Sequence, residues 1–355
     1  MKNLLSTKME ALFLSFCLFL GGSSQLSAEK VAIIDAGSSG SRLFVYDVNS
    51  DGQDKVKLLY PIGKEQKKHS KGRPLSSIVN HPDSVQVFLQ QMTQNYKCDS
   101  IDLYILATAG MRLKPKAQAD SIYDKLENLP GTNGFYVRGA MTISGQYEGL
   151  YGWLAANFEN GKLGFSKNDE QATLSYIGDP YGIVEIGGAS MQVAFKAEGD
   201  NKNCLSRPGL GKIYAKSYLG GGVDQIYKNT KPGKRYRFHL DVETDFNELY
   251  EADTRFLGLG IPINNVLKGI DEQKSKKTYK GKIKKYIKTL KHFEDTPQNY
   301  HPRINAHYIK WVSNKMNLDG AIISPKKDAS WTIGAAIDIV INKVKPEGFD
   351  HNNIN

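Results

Sequence analysis

The feature that most constrains the fold is a glycine-rich pattern that occurs twice in the 355-residue chain. The first copy, VAIIDAGSSGSRLFV, starts at Val31, and the second, YGIVEIGGASMQVAF, starts at Tyr181. Each copy has an apolar run, an acid, a glycine, a cluster of small residues and a second apolar run. Because the flanks are β-branched or aromatic at strand length, both copies predict a strand, a turn and a second strand.

The two copies align residue by residue at their chemically important positions. Asp35 aligns with Glu185, and Gly37 aligns with Gly187. Two unrelated hairpins are the alternative explanation, but a turn does not need an acid at the same offset before its glycine. Since the copies are about one domain apart, they predict two related lobes rather than a solenoid repeat.

Turns of this composition can bind phosphate groups. Backbone NH groups and small hydroxyls are suitable donors to a phosphate, and two facing acids could flank a divalent cation through its waters. The formal charge of +10 favours nucleotides, nucleic acid or an acidic membrane as partners. The sequence contains neither GxxxxGK[ST] nor GxGxxG, and it lacks the zinc patterns CxxC and HExxH. A nucleotide would therefore be bound by another kind of loop.

The N-terminus has the layout of a secretory signal. Lys2 and Lys8 precede the apolar run ALFLSFCLFLGG, and a polar stretch leads to a cleavage position after Ala28. We therefore expect residues 1–28 to be a signal peptide and the protein to be exported to the periplasm or secreted, as a soluble protein. Cys98 and Cys204 would remain, which allows one disulfide without requiring it.

Three further motifs complete a recognisable set. In chain order, the five motifs are DAGSSGSR, ATAGMR, SGQYEGLYGW, EIGGASMQ and SWTIGA. Their types and order resemble those of the apyrase, or nucleoside triphosphate diphosphohydrolase, family, which belongs to the actin-like ATPase superfamily. The matches extend from about Val31 to Val340, and the cysteine content resembles the short bacterial members.

The resemblance implies an α/β fold made of two RNase-H-like lobes. Mixed sheets flanked by helices are expected in each lobe, with the active site in the cleft between them. Lobe I would comprise residues 29–147 plus 329–355, and lobe II would comprise 148–328. The helix after Trp331 would return to lobe I.

The resemblance also implies roles for individual residues. Glu148 matches the carboxylate that activates the attacking water, and Ser190 and Gln192 match residues that hold that water. The matches to phosphate- and nucleotide-binding positions are Ser38, Ser39, Gly40, Arg42, Thr108, Arg112, Gly187, Gly188 and Ala189. Arg112 could face the phosphates or brace a carboxylate, and Arg42 has a similarly open role.

The implied cofactor is Mg²⁺ or Ca²⁺. Asp35 and Glu185 match the pair of acids that organises the waters of the metal, although the second acid is usually aspartate in the family. The longer Glu185 leaves the metal preference and the rate open. Trp331 matches a tryptophan near the metal waters, and packing between a lobe and the C-terminal helix is its alternative role.

The implied function is exported, metal-dependent removal of the terminal phosphate from nucleoside triphosphates, with diphosphates as further candidate substrates. One alternative is an enzyme like an exopolyphosphatase or guanosine-pentaphosphate phosphatase, which shares the two-lobed fold. Another is a nucleotide-binding protein without turnover, which Glu185 alone favours. We do not expect nucleic-acid binding.

Two features outside the motifs have open interpretations. The segment 274–292 carries many lysines, and its apolar residues Ile283, Tyr286, Ile287 and Leu290 fall on one helical face. It could pack on lobe II or attach to an anionic membrane. Candidates for stacking on the base, chosen by composition alone, are Tyr214, Tyr227, Tyr236, Tyr250 and Phe256. We expect most of these aromatics to be core or ordinary surface residues.

Overall fold

The computed structural model covers most of the chain. It describes residues 29–49, 55–168, 171–230, 238–242, 249, 254–271, 279–290, 302–318, 322–327 and 329–349. The predicted signal peptide 1–28 and the candidate base-stacking residues Tyr236 and Tyr250 lie outside this description. Within it, no helix has the length and apolar content needed to cross a bilayer.

The described residues form mostly short strands and helices. The strands are β1 (Glu29–Gly37), β2 (Gly40–Asn49), β3 (Lys55–Tyr60), β4 (Lys71–Gly72), β5 (Ile101–Ala107), β6 (Phe135–Thr142), β7 (Leu163–Asn168), β8 (Gln171–Tyr176), β9 (Gly182–Ile186), β10 (Ser190–Lys196), β11 (Cys204–Arg207), β12 (Gly211–Leu219), β13 (Phe256–Leu259) and β14 (Ile322–Ile323). The helices are α1 (Gly63–His69), α2 (Val85–Thr93), α3 (Ala109–Arg112), α4 (Lys116–Glu127), α5 (Gly145–Glu159), α6 (Val223–Asn229), α7 (Ile261–Asp271), α8 (Tyr279–Thr289), α9 (Pro302–Lys315) and α10 (Trp331–Val340).

Two sheets share one topology. The first sheet has the order β3-β2-β1-β5-β6, with β4 added beside β2, and the second has the order β11-β12-β10-β9-β13-β14. In each sheet the two strands of the glycine-rich hairpin pair antiparallel, β1 with β2 and β9 with β10. On its other side, the first strand of each hairpin pairs with a parallel strand, β1 with β5 and β9 with β13. The strands β7 and β8 form a separate antiparallel pair. The prediction of two hairpins in two related RNase-H-like lobes is therefore confirmed.

The first hairpin turns within two residues. Its ladder runs from Glu29 opposite Val48 to Gly37 opposite Gly40. Gly40 has a φ of +145°, a conformation that L side chains rarely adopt. A methyl group built there would also lie 2.9 Å from the carbonyl oxygen of Gly72 in the neighbouring strand β4. The turn sequence thus requires glycine at this position for two independent reasons.

Two helices lie between the sheets. Helix α5 packs on β9, β10 and β12 of the second sheet, whereas α10 packs on β1 and β2 of the first sheet. The two helices also pack against each other, and Tyr46 of β2 shares a hydrogen bond of 2.7 Å with Thr332 of α10. A methyl group built on Gly334 would stand 2.0 Å from the carbonyl oxygen of Tyr151. This close approach joins the two lobes through one apolar layer. The residue boundaries proposed for the lobes stay a prediction.

The outer face of each sheet is covered by its own helices. Phe88 of α2 and Ile122 of α4 are buried against the first sheet. On the second sheet, Ile283 and Leu290 of the lysine-rich segment are buried, and Tyr286 and Ile287 are partly buried beside them. The apolar face of α8 is thus turned into the protein, as in the packing alternative, while Lys284, Lys285 and Lys288 are exposed. Residues 274–278 and 291–292 of that segment lie outside the described residues.

The aromatic candidates for base stacking that the structure describes are mostly core residues. Tyr214 and Phe256 are fully buried, and the Tyr214 ring stacks on Phe195 at a centroid distance of 4.7 Å. Tyr227 is half-buried, and its hydroxyl donates to Asn305 Oδ1 at 2.7 Å. Tyr214 and Phe256 have no exposed face for a base, so both are core residues rather than base-stacking residues.

Candidate active site

Asp35 and Glu185 occupy equivalent positions, one near the end of each hairpin's first strand. Loss of hydration raises the pKa of Asp35 to about 7, against the opposing effect of the Arg42 charge. Burial also raises the pKa of Glu185 to about 8, and the charges of Glu148 and Asp35 add to this effect. Since each carboxyl feels the charge of Glu148, three acids from different elements share one site.

Glu148 lies in the first turn of α5. The N-cap residue Ser144 accepts a hydrogen bond from the NH of Tyr147 at 3.2 Å. Negative charge is favourable at this end of a helix. The Glu148 side chain is buried, and Arg112 Nη2 donates to its Oε2 at 2.6 Å. The catalytic candidate is therefore an oriented carboxylate rather than a solvated one.

Arg112 braces this carboxylate in the structure. Besides its bond to Glu148, its Nε donates to the carbonyl oxygen of Ile143 at 3.0 Å. Its Nη1 is buried, and within the described residues it has no hydrogen-bond partner. Arg112 thus makes the bracing contact that the sequence left open, and it keeps one donor unused that could meet a phosphate oxygen.

The acid cluster suits a hard cation held through water. Among the described residues, no three His, Cys, Asp or Glu side chains are placed to hold a metal directly. Glu185 Oε2 is buried and has no partner there. A divalent cation with its waters would satisfy this oxygen and offset the crowded negative charge, and oxygen ligands are what Mg²⁺ and Ca²⁺ prefer. The residues present therefore fit the predicted ion.

Ser190 and Gln192 are joined in a buried polar network on β10. Gln192 pairs across the ladder with Glu185 of β9 and with Ser217 of β12. Its Nε2 donates to Ser190 Oγ at 2.6 Å and to Ser217 Oγ at 3.2 Å. Gly145, the first residue of α5, lies so close that an added methyl would stand 2.2 Å from Ser217 Cβ. The network thus lies beside the helix that carries the candidate base.

The two glycine turns approach each other across the cleft. A methyl built on Gly188 would lie 3.2 Å from Ser38 Oγ. A methyl on Gly110, from the ATAGMR motif, would lie 2.8 Å from the Cα atom of Ser38. Three of the five motifs therefore meet at one place, and glycine is needed where two backbones come this close.

The turns present unused backbone donors. Among the described residues, the NH groups of Ser38, Ser39, Gly188 and Ala189 donate to no backbone carbonyl oxygen. The carbonyl oxygens on the second turn are bonded instead, because Gly187 O accepts from the Val223 NH at 3.0 Å and Gly188 O from the Asp224 NH at 2.9 Å. Such sets of oriented amides form anion sites.

The remaining predicted residues lie around this centre. Arg42 is directly opposite Asp35 in the ladder, on the same face of the first sheet. Thr108 precedes α3, and its NH donates to the carbonyl oxygen of Ala36 at 3.4 Å. Trp331 is buried, and its ring is stacked on Tyr151 at 6.3 Å and 13°. Trp331 therefore makes the packing contact between α10 and α5.

Some residues of the site were not predicted individually. Ser217, Gly222 and Asp224 belong to the segment YAKSYLGGGVDQI, which follows the second hairpin. Its run of three glycines was the available signal, since a methyl on Gly222 would stand 2.3 Å from the Ala189 nitrogen. Cys98 and Cys204 are free thiols, so the optional disulfide is not formed.

The fold and site define a two-lobed RNase-H-like protein with paired glycine turns and a cluster of three acids, of which Glu148 is buried and Asp35 and Glu185 are half-buried. Residues 24–231, more than half of the chain, match the model of the GDA1/CD39 (nucleoside phosphatase) family. The chain belongs to this family.

Curated relatives agree with the family assignment. The chain is 31% identical over 242 residues to nucleoside-triphosphatase ntp-1 of Caenorhabditis elegans, covering 64% of this chain and 38% of the relative. It is 30% identical over 220 residues to bovine (Bos taurus) ectonucleoside triphosphate diphosphohydrolase 1, covering 54% of this chain and 41% of that protein. The chain thus spans about two fifths of the length of these relatives.

Solved structures agree with the two-lobed fold. A nucleoside triphosphate hydrolase from Neospora caninum superposes with a TM-score of 0.61 at 12% identity, over 95% of this chain and 97% of that one. A Ppx/GppA family member from Aquifex aeolicus gives a TM-score of 0.50 at 16% identity, over 90% and 100% of the two chains. At these identities the likeness establishes the fold alone.

Proposed function

We propose that the protein hydrolyses nucleoside triphosphates to release the terminal phosphate, with diphosphates as a second substrate class. The observation that carries the proposal is the buried Glu148 carboxylate, which Arg112 orients at 2.6 Å beside two further acids. The unused NH donors of both glycine turns support phosphate as the group that binds there. The family and its curated relatives support nucleotides as the phosphate carriers.

Each residue has a distinct task in the proposed mechanism. The turn around Ser38 and the turn around Gly188 bind the terminal phosphate and stabilise its negative charge. Glu148 accepts a proton from a water in line with the bond that breaks. Ser190 and Gln192 orient that water through their buried network. The water oxygen bonds to the terminal phosphorus as the bond from that phosphorus to the nucleoside diphosphate oxygen breaks. The diphosphate and inorganic phosphate then leave, and no covalent bond to the protein forms.

Asp35 and Glu185 would hold Mg²⁺ or Ca²⁺ through its waters. When bound, the ion supplies positive charge that offsets the charge of the phosphate oxygens. Glu185 Oε2, which is buried without a partner among the described residues, supports this role.

The proposed location is outside the cytosol. The sequence of residues 1–28 supports export, because a charged start, an apolar run and a small residue at position 28 form a signal-peptide layout. Mass spectrometry of the protein recovered from the periplasm or the medium would test this. A mature chain that begins at Glu29 is the expected result, and an uncleaved cytosolic chain would contradict it.

The proposed activity is tested by phosphate release from ATP, ADP and inorganic polyphosphate. Each substrate is measured with Mg²⁺, with Ca²⁺ and with chelator, for the wild type, Glu148→Gln and the matched control Glu159→Gln at the other end of α5. We expect metal-dependent release from ATP that falls at least about 100-fold in Glu148→Gln. The control should keep the wild-type rate.

Other outcomes would point to the alternative functions. Release from polyphosphate but not from ATP would indicate an exopolyphosphatase-like enzyme. Nucleotide binding without release, equal in wild type and Glu148→Gln, would indicate a binding protein and would overturn the hydrolase proposal.

A further inference from the structure

A buried ion pair joins elements of the two lobes close to the catalytic helix. Arg207 ends β11 of the second sheet, and Asp338 lies on α10, which packs on the first sheet. Arg207 Nε donates to Asp338 Oδ1 at 2.8 Å, and Nη2 donates to Oδ2 at 2.9 Å. The two side chains are only 5% and 0% exposed. This is a buried bidentate salt bridge.

The polar atoms of this pair are fully used. Arg207 Nη1 donates to the carbonyl oxygen of Ser206 at 2.9 Å. Asp338 Oδ1 also accepts from Asn342 Nδ2 at 2.6 Å. Since every guanidinium nitrogen and both carboxylate oxygens have partners, the geometry of the pair is fixed by at least four hydrogen bonds.

The guanidinium of Arg207 also touches the catalytic helix. It lies over the ring of Tyr147 at 5.3 Å, and Tyr147 immediately precedes Glu148. Tyr147 meets Tyr151 edge-on at 5.6 Å, and Tyr151 stacks on Trp331 of α10. Arg207 therefore ends a row of rings that follows the interface between α5 and α10.

Stability alone does not account for such a pair. A buried ion pair often gives no more stability than apolar side chains of similar volume, because removing two charges from water is costly. A bidentate salt bridge of fixed geometry does, however, restrict the side chains packed against it to one arrangement. Here the neighbour is the first turn of α5, whose other side is held by the bond from Arg112 to Glu148.

We propose that Arg207 and Asp338 are positioning residues, which fix the first turn of α5 through the Tyr147 ring and thereby orient the Glu148 carboxylate. The inference rests on the proposed hydrolase function. Successive side chains on a helix diverge by about 100°, so Arg207 reaches Glu148 through the backbone of the turn rather than by contact. A small misplacement of a catalytic group can lower a rate by about 100-fold.

The test compares variants that separate position from stability. Arg207→Met and Asp338→Leu each break the pair, and the double variant replaces it with apolar side chains. Arg207→Lys keeps the positive charge but loses the bidentate hydrogen bonding to Asp338. Tyr147→Leu removes the ring that Tyr147→Phe keeps. The matched control is Lys343→Met, which breaks the exposed pair between Lys343 and Glu29 near the same helix.

We expect kcat for ATP to fall about 10- to 100-fold in the single variants at a temperature where all are folded, while KM changes little. Arg207→Lys should not restore the rate. The double variant should regain the wild-type melting temperature or exceed it, yet keep the low kcat. Lys343→Met should resemble the wild type. Tyr147→Phe, which keeps the ring but loses the hydroxyl that Arg207 also contacts, should lower kcat less than Tyr147→Leu. A kcat that recovers together with the melting temperature would overturn the proposal.

A second measurement does not depend on turnover. Amide hydrogen exchange of a peptide covering residues 144–150 should be at least tenfold faster in Arg207→Met than in Lys343→Met. If the wild type released no phosphate, the hydrolase proposal would fail, and this exchange would still decide the positioning role. Equal exchange in both variants would refute that role.

Discussion

Gly152 of α5 lies directly against the carboxylate of Glu185. A methyl group built on Gly152 would stand 2.9 Å from Glu185 Oε2 and 3.0 Å from Ile183 Cδ1. Helix α5 therefore comes this close to β9 because residue 152 has no side chain. Burial raises the pKa of Glu185, and the charge of Glu148, one turn earlier on the same helix, adds to this effect. One helix thus both confines this acid and places a negative charge near it.

This contact predicts a coupling between residue 152 and the metal. Gly152→Ala should push the Glu185 carboxylate from its position. Changes in the residues around metal ligands typically weaken metal affinity by about 10- to 100-fold. We expect Gly152→Ala to raise the Mg²⁺ concentration needed for half-maximal thermal stabilisation by about 10- to 100-fold. Glu185→Asp, which is shorter by one methylene, should recover part of the loss when combined with Gly152→Ala.

The control for this prediction is another glycine of α5. A methyl on Gly149 would have only ordinary contacts, the nearest at 3.5 Å. Gly149→Ala should therefore leave the Mg²⁺ dependence of the melting temperature unchanged. Strictly additive effects of Gly152→Ala and Glu185→Asp would show that the two residues do not interact.

Much of this site could be predicted because its residues are local to short patterns. Each hairpin brings an acid and its glycines together within six residues, so backbone preferences and hydrophobic alternation determine where Asp35 and Glu185 lie. The position of Glu148 at a helix start is visible in the loop-to-helix motif, whereas its role as the base is implied by the resemblance to the apyrase family and stays a prediction. The ladder then fixes the partners of these strands, including Arg42 opposite Asp35.

Other relationships depend on packing between distant segments. Arg207 and Asp338 are 131 residues apart in sequence, and neither occurs in a pattern that indicates an ion pair. The stacking of Trp331 on Tyr151 also joins distant segments, and the predicted place of Trp331 near the metal waters stays a prediction. Such contacts follow from how α5 and α10 meet between two sheets, which hydrophobic periodicity does not specify.

The raised pKa values predict a dependence of stability on pH in metal-free protein. On folding, the pKa of Asp35 rises from 3.8 to about 7, and the pKa of Glu185 rises from 4.5 to about 8. At pH values between the unfolded and folded pKa of each carboxyl, the folded protein binds more protons than the unfolded chain. The free energy of unfolding therefore decreases as pH rises through this range. With chelator present, we expect urea denaturation to show lower stability at pH 8.5 than at pH 5.5.

Variants and metal should both reduce this dependence. Glu185→Gln removes a titrating group, so its stability should change less between pH 5.5 and 8.5. Saturating Mg²⁺ should have a similar effect, because a bound cation favours the ionised carboxylates. A pH dependence that is identical in Glu185→Gln and wild type under chelator would contradict the assignment of the shift to this residue.

The close approach of α10 to α5 predicts a stability effect at Gly334. Alanine normally stabilises a helix by about 1 kcal/mol relative to glycine. At Gly334, however, the added methyl would meet the backbone of Tyr151 at 2.0 Å, where neither helix can yield locally. Overpacking of this kind costs about 1–3 kcal/mol. Urea denaturation should show that Gly334→Ala is destabilised, whereas Gly149→Ala, with room for its methyl, should be neutral or stabilised.

The final prediction concerns Ser217, which the sequence motifs did not indicate. Its hydroxyl accepts a hydrogen bond from Gln192 Nε2 at 3.2 Å, and Ser190 accepts from the same nitrogen at 2.6 Å. Ser217→Ala removes one of two anchors of Gln192, and one hydrogen bond contributes about 0.5–1.5 kcal/mol. We expect kcat for ATP to fall about 2- to 10-fold with little change in melting temperature. Ser206→Ala, on the exposed side of neighbouring β11, serves as the control. A rate equal to that of the control would mean that Ser190 alone orients Gln192.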